Sequence, residues 1–297
     1  SIFLLAYSDT PGFSDWLMLP LAALLLLANS QLAIALMNWL VSVTTPPRPL
    51  PRLDFSSGIP REWRTLVVVP TLISSEKQVE ALIETLEVRF LANRDAHLHF
   101  GLLTDFCDAT EAHQPEDAML LACAQSRIDA LNTKYQDTHE SPFFLFHRPR
   151  VWNAQDRIWM GYERKRGKLS DLNVFLRNGS DESFSLIVGN TDALQGTQFV
   201  ITLDSDTQLP RDAARQFVGA LAHPLNRPHY DAQYQRVTAG YGILQPRVDT
   251  TLAAGDASLY MRLHSGIPGI DPYTRAVSDV YQDIFGEGSF IGKGIYD

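Results

Sequence analysis

The chain has 297 residues, of which 45% are apolar and 20% charged. These are ordinary globular values and they argue against intrinsic disorder. The net charge is −9, and residues 1–43 carry two acids (Asp9, Asp15) and no base, which leaves −7 on residues 44–297; an acidic domain without a basic face speaks against a nucleic-acid partner.

In chain order, residues 1–15 form an N-terminal flank. No charged residue then occurs between Asp15 and Arg48. The 28 residues Trp16–Val43 would reach about 42 Å as a helix, where a bilayer core of about 30 Å needs only about 20 residues. Trp16 and Trp39 sit near the two ends, as interfacial aromatics do. A transmembrane helix is predicted over 16–43. All nearby bases, Arg48, Arg52, Arg61 and Arg64, follow it, which puts the C-terminal side in the cytoplasm. Thr45–Arg52 (TPPRPLPR) has four prolines in eight residues, so 44–61 is expected to be a stiff linker. The apolar start SIFLLAY, without an initiator Met, reads as a chain that begins mid-protein.

A soluble domain is expected over 62–297. Thr65–Val69 (TLVVV), ended by Pro70, predicts a buried strand. Ser75–Gln78 fits a capping box, and Val79, Leu82, Ile83, Leu86 and Phe90 mark the apolar face of the helix behind it. Leu98–Leu103 predicts a second strand, and Ala118–Tyr135 a helix through Leu121, Ala124, Ile128 and Leu131. Phe143–His147 is a third strand, Leu169–Leu176 a helix and Phe199–Leu203 a fourth strand. Pro210 opens a helix through Leu221, and Gly242–Gln245 is a short fifth strand. This alternation predicts an α/β fold, a mainly parallel Rossmann-like sheet with helices on both faces. The two cysteines, Cys107 and Cys123, make no disulfide framework and no zinc spacing.

In such sheets ligands bind beyond the carboxyl ends of the strands. Pro70 and Thr71 follow the first strand. Asp105 and Asp108 follow the second, and Asp204-Ser205-Asp206-Thr207 follows the fourth. A buried strand ending in D-x-D presents carboxylates to a hard divalent cation that also binds phosphate; the same residues also suit a solvated Asx turn. Position 208 is Gln, so a phosphatase D-x-D-x-T is excluded. Gly288–Gly294 is one residue short of a Walker A loop, and no dinucleotide fingerprint follows the first strand. A basic cluster, Arg164, Lys165, Arg166 and Lys168, surrounds Gly167. It suits either a solvated helix start or a clamp on a departing diphosphate.

Taken together, VVVPT, Asp105, KRGKLSDLN, TLDSDT and GILQPRV resemble the processive family-2-like glycosyltransferases of GT-A fold. PPRPLPRLDFSSGIP, RVWNAQDRIWMGYERKRGKLSDLN, TLDSDTQLPRDAARQ and YQDIFGEGSFIGKGIYD are similar to the glucosyltransferase domain of the cyclic β-1,2-glucan synthases. The resemblance implies a membrane-bound glucosyltransferase of a bacterial inner membrane, with its catalytic domain cytoplasmic. Its donor would be UDP-glucose, its metal Mg²⁺ or Mn²⁺ and its acceptor a growing β-glucan. The transfer would be an inverting single displacement, within a larger multidomain chain that includes a phosphorylase-like domain.

It implies metal binding by Asp204 and Asp206, a uridine contact by Asp105, and Lys168 and Arg166 near the diphosphate. Pro70, Thr71, Asp171, Asn173, Gly286, Gly288 and Gly292 complete the donor set, and Trp152, Trp159, Tyr162 and Phe290 are candidates for stacking on sugar. The general base is expected beyond Asp297, with Asp279, Asp283 and Glu287 as weaker candidates, so the chain alone is expected to bind UDP weakly and to transfer nothing. Alternatives are a non-catalytic nucleotide-sugar-binding regulatory module, another cellulose-synthase-like processive synthase, and a sugar phosphorylase.

Overall fold

The structure, a computed structural model, describes residues 15–44, 50–136, 142–245 and 292–297. Helix α1 (Asp15–Thr44) has 30 residues and contains Pro20. Leu24, Leu26, Leu27 and Leu32 are all exposed, and at about 100° per residue they lie all round the helix axis rather than along one stripe. Over the described residues, which omit part of the α1 side chains, no helix is long and apolar enough to cross a membrane. The expected helix is therefore present, and its crossing of a bilayer is not shown.

Described residues 50–245 and 292–297 form a separate compact unit. The main elements are β1 (Thr65–Ile73), α2 (Glu76–Ala92), β2 (Leu98–Phe106), α3 (Asp117–Tyr135), β3 (Phe143–Arg148), β4 (Val151–Asn153), β5 (Ile158–Met160), α4 (Arg164–Asn178), β6 (Leu186–Val188), β7 (Phe199–Thr202), α5 (Ala213–Ala222), β8 (His229–Asp231), β9 (Arg236–Ala239), β10 (Ile243–Leu244) and β11 (Gly294–Tyr296). The sheet order is β10–β11–β7–β1–β2–β3–β6. The central four, β7, β1, β2 and β3, are parallel. The outer strands β6, β10 and β11 run antiparallel to their neighbours.

The run TLVVV is apolar throughout because both faces of β1 are covered. Val67 and Val69 enter one core cluster, with α2, α3 and α5; Leu66 and Val68 enter the other, with α4. Burial of each such side chain is worth about 1.5–3 kcal/mol. The mainly parallel α/β sheet predicted from sequence is thus observed. Strand β1 does not stop at Pro70 but runs on to Ile73. Neighbour β7 pairs only as far as Val68, so the missing N–H of Pro70 lies where that side of the ladder has ended, which a strand tolerates.

Ser75 caps α2 by accepting from the Gln78 N–H at 3.3 Å, while the Gln78 side chain reaches back to the Ser74 N–H at 2.9 Å. On α3 the inward residue is Leu120 rather than Leu121. Helix α4 begins at Arg164, five residues ahead of the sequence reading, and α5 at Ala213 rather than Pro210. The latter half of the expected linker packs on the domain: the Leu53 N–H donates to Gly219 O at 2.9 Å, and Ile59 is buried.

His147 is fully buried at the end of β3. Its Nδ1 lies 2.8 Å from Thr104 Oγ1, and its Nε2 has no partner among the described residues. Burial lowers its pKa to about 4, against the raising influence of Asp105 and Asp117 and with Lys168 and Arg150 adding to the fall. The unfolded chain takes up this proton near 6.5, so between pH 6.5 and 4 the unfolded state binds more protons and stability falls with pH. The expected loss by pH 4 is about 3 kcal/mol from this group. Denaturant midpoints at pH 7 and 4.5 should separate in the native chain and converge in His147→Gln. Equal separation in both would refute the role of His147.

Candidate active site

The sheet places the ends of β1 and β7 side by side. From β1 the chain moves to β2 on one side, whereas β7 lies on the other. This is the strand-switch point, where a crevice opens in doubly wound sheets. Two polar clusters occupy it, and α4 serves both.

The first cluster closes the ends of β1, β2 and β3. Asp105, only 1% exposed, accepts from Arg148 Nε on Oδ1 at 2.9 Å and from Nη2 on Oδ2 at 3.1 Å, and Lys168 Nζ lies 2.9 Å from the same Oδ2. Lys168 also donates to Thr71 O at 2.7 Å. Asp171 accepts from Arg148 Nη1 at 2.6 Å. Burial lowers the pKa of Lys168, against the opposing pull of Asp105. Pro70 is buried beside this cluster, and Asn173 instead accepts from the Tyr296 hydroxyl at 3.0 Å.

The start of α4 is strained. Glu163 and Arg164 both have φ 49°, a conformation that costs about 1–3 kcal/mol per residue. Arg148 Nη2 steadies this turn by donating to Tyr162 O at 3.1 Å and Arg164 O at 3.3 Å. Gly167 is required there, because a Cβ would sit 2.1 Å from Tyr162 O.

The second cluster lies at the end of β7. Asp204 pairs with Lys165 at 2.5 Å and with Lys293 at 3.2 Å. Lys165 also donates to Gly292 O at 2.6 Å; Gly292 takes φ 83°, a left-handed conformation that suits glycine. Burial acts to raise the Asp204 carboxyl, but Lys165 and then Lys293 outweigh it and hold it below the usual carboxylate range. Asp206 is exposed, with Thr207 Oγ1 3.5 Å away.

Arg89 shapes the turn that carries both acids. Fully buried on α2, it donates from Nε to Thr207 O at 3.0 Å and from Nη2 to Asp204 O, Ser205 O and Thr207 O at 3.2, 2.8 and 2.7 Å. Sequence reasoning missed this residue although a signal was present. Arg89 is three residues after Leu86, on the apolar face of an amphipathic helix, where a lone charge needs a partner.

The expected basic residues take different places in the structure. Arg166 is exposed and lies 3.7 Å from Glu163 rather than in either cluster, because one residue along a helix turns a side chain by about 100°. Lys168 is a buried brace, and Lys165, one turn earlier, faces the D-x-D. Asp105 likewise has its carboxylate covered by protein cations. Trp152 and Trp159 pack against each other at 5.8 Å across the β4–β5 hairpin, and Trp152 and Tyr162 are exposed. Gly286, Gly288, Phe290, Asp279, Asp283 and Glu287 lie outside the described residues.

Among the described residues no three His, Cys, Asp or Glu side chains gather to hold a metal alone. The exposed Asp206 beside Asp204 instead fits a cation shared with a phosphate ligand, since Mg²⁺ commonly takes one or two carboxylates and completes its shell from substrate.

No family model matches the chain. Over 289 residues, 97% of its length, it is 44% identical to the cyclic beta-(1,2)-glucan synthase NdvB of Rhizobium meliloti (strain 1021). It spans about 10% of that relative's length. The chain is thus related to the cyclic β-1,2-glucan synthases, as its motifs imply.

Proposed function

We propose, for a chain related to a segment of the cyclic β-1,2-glucan synthases, that it forms the donor site of a glucosyltransferase. The donor is UDP-glucose and the acceptor a growing β-1,2-glucan. The observation that carries this reading is the convergence of Asp204, Asp206, Lys165 and Lys293 at the strand-switch point. A diphosphate and its cation both find opposite charge there. The β-1,2 linkage rests on the kinship alone.

A bound Mg²⁺ or Mn²⁺ would supply Lewis-acid stabilisation of the departing UDP. Asp206 would hold it, with Asp204 beside it. Lys165 and Lys293 face the diphosphate and offset its growing charge as the bond to glucose breaks. Arg89 fixes the backbone of the acidic turn. Asp105, enclosed by Arg148 and Lys168, braces the ends of β1, β2 and β3 against α4 rather than touching the base. Neither Asp105 nor Asp204 suits the general base of an inverting displacement, because each carboxylate is already claimed by two cations. Helix α1 is proposed to cross a bacterial inner membrane with the domain on the cytoplasmic side, in a longer chain that includes a phosphorylase-like domain.

The test is incorporation of radiolabelled glucose from UDP-glucose by membranes that carry the complete protein. Incorporation into a β-1,2-linked product is expected, lost on chelation and restored by Mn²⁺ or Mg²⁺. UDP binding without any incorporation would favour a regulatory module, and incorporation indifferent to chelation would remove the metal.

A further inference from the structure

The two acids of the D-x-D are electrically unlike. Both oxygens of Asp204 are engaged by ammonium groups, Oδ1 by Lys165 and Oδ2 by Lys293, so the trio carries net positive charge. Asp206, two residues on, has no cationic side chain within ion-pair distance among the described residues, although the charge of the buried Arg89 reaches it from farther off. The lysines come from distant parts of the chain. Lys165 lies in the first turn of α4 and Lys293 just before β11, and Lys165 ties the two together through Gly292 O.

From this geometry we infer that Lys165 and Lys293 form an electrostatic latch that occupies Asp204 until a nucleoside diphosphate arrives, so that metal and diphosphate bind as a coupled pair. A divalent cation approaching alone meets two ammonium groups at its second carboxylate and has only Asp206 to hold it. A diphosphate carries more negative charge than one carboxylate and draws the ammonium groups toward itself. Asp204 is then released to the metal. The lysines thus compete with the metal in the empty site and assist it in the loaded one. By reciprocity, the metal raises diphosphate affinity by the same factor. The latch rests on the D-x-D being the metal site proposed above.

The experiment measures Mn²⁺ binding by the spin-resonance signal of the free ion, with and without UDP. The proteins are the native chain, Lys165→Met, Lys293→Met and Lys293→Arg, each checked for native circular dichroism. UDP affinity is read in parallel by calorimetry. The native chain should bind Mn²⁺ weakly alone and at least about 10-fold more tightly with UDP, within the usual range of coupling. Each methionine variant should bind Mn²⁺ alone several-fold more tightly than the native chain and UDP more weakly, so the coupling shrinks. Lys293→Arg keeps the charge and should behave as native.

Unchanged Mn²⁺ affinity in both methionine variants, with native coupling to UDP, would overturn the latch and leave the metal site standing. Failure of every protein to bind Mn²⁺ even with UDP would overturn the metal site and the latch together. If a methionine variant does not fold, Lys165→Gln and Lys293→Gln carry the same comparison.

Discussion

Asp105→Asn is expected to destabilise the domain by about 3–5 kcal/mol, the cost of breaking a buried ion pair by removing one partner. The resemblance casts Asp105 as a nucleotide contact, but its surroundings are those of a structural anchor. The carboxylate is 1% exposed, and the side chains of its cationic partners Arg148 and Lys168 are 4% and 3% exposed. Without its charge, Arg148 keeps one acid, the partly exposed Asp171, beside the Tyr162 and Arg164 carbonyls, and Lys168 keeps the Thr71 carbonyl. Two cations would then face each other in a site closed to water. The braces of β1, β2 and β3 against α4 would loosen together, along with the strained turn that Arg148 holds. Urea unfolding of native and Asp105→Asn chains reads this directly. A loss below about 1 kcal/mol, the size of an exposed pair, accompanied by a large fall in UDP affinity, would return Asp105 to the nucleotide.

The features legible in the sequence were those written in local pattern. TLVVV, the capping residues of α2 and the apolar face from Val79 to Phe90 specified their elements without tertiary help. The D-x-D was legible too, because it ends a strand that can only be central. Less legible were the short strands of the sheet edges and of the β4–β5 hairpin. β4, β5, β6 and β11 have three residues each, too few to show a period of two. Strand β11 also pairs with β7 and β10 across a long separation in sequence, which no local pattern encodes.

The basic cluster around Gly167 illustrates the other limit. Its composition announced a function for cations, but which of Lys165, Arg166 and Lys168 meets which acid depends on the rotation of α4 over the sheet. Helical spacing does put Lys165 and Lys168 on one face and Arg166 off it. It does not say that the face spans two sites, with Lys168 sealed over Asp105 and Lys165 set against Asp204. That required the positions of β2 and β7.

In the complete protein Asp206→Asn should cut glucosyl transfer by at least about 10²-fold, with a smaller effect on folding than Asp105→Asn. Asp206 is exposed, and the buried Arg89 that feels its charge keeps its bonds to the Asp204, Ser205 and Thr207 carbonyls when that charge is lost. Among the described residues its carboxylate is the acid of the D-x-D turn not paired with an ammonium group, and hence the first ligand available to a divalent cation. Asparagine keeps an oxygen but not the charge, and a cation held mainly by charge is released. The departing UDP then loses several kcal/mol of stabilisation that develops in the transition state, and each 1.4 kcal/mol is tenfold in rate.

Asp204→Asn should differ in kind. It removes the shared partner of Lys165 and Lys293 and leaves both ammonium groups for the diphosphate. UDP affinity without metal should therefore hold or rise while metal-dependent transfer falls. The pair of variants separates binding from turnover: Asp206→Asn lowers kcat and the response to Mn²⁺, whereas Asp204→Asn also weakens the coupling between Mn²⁺ and UDP. Steady-state incorporation of radiolabelled glucose across a Mn²⁺ series, with unfolding curves as control, decides between them. Near-native kcat in Asp206→Asn would show that the exposed acid of this turn holds no catalytic metal, and the chemistry would have to be sought in other residues.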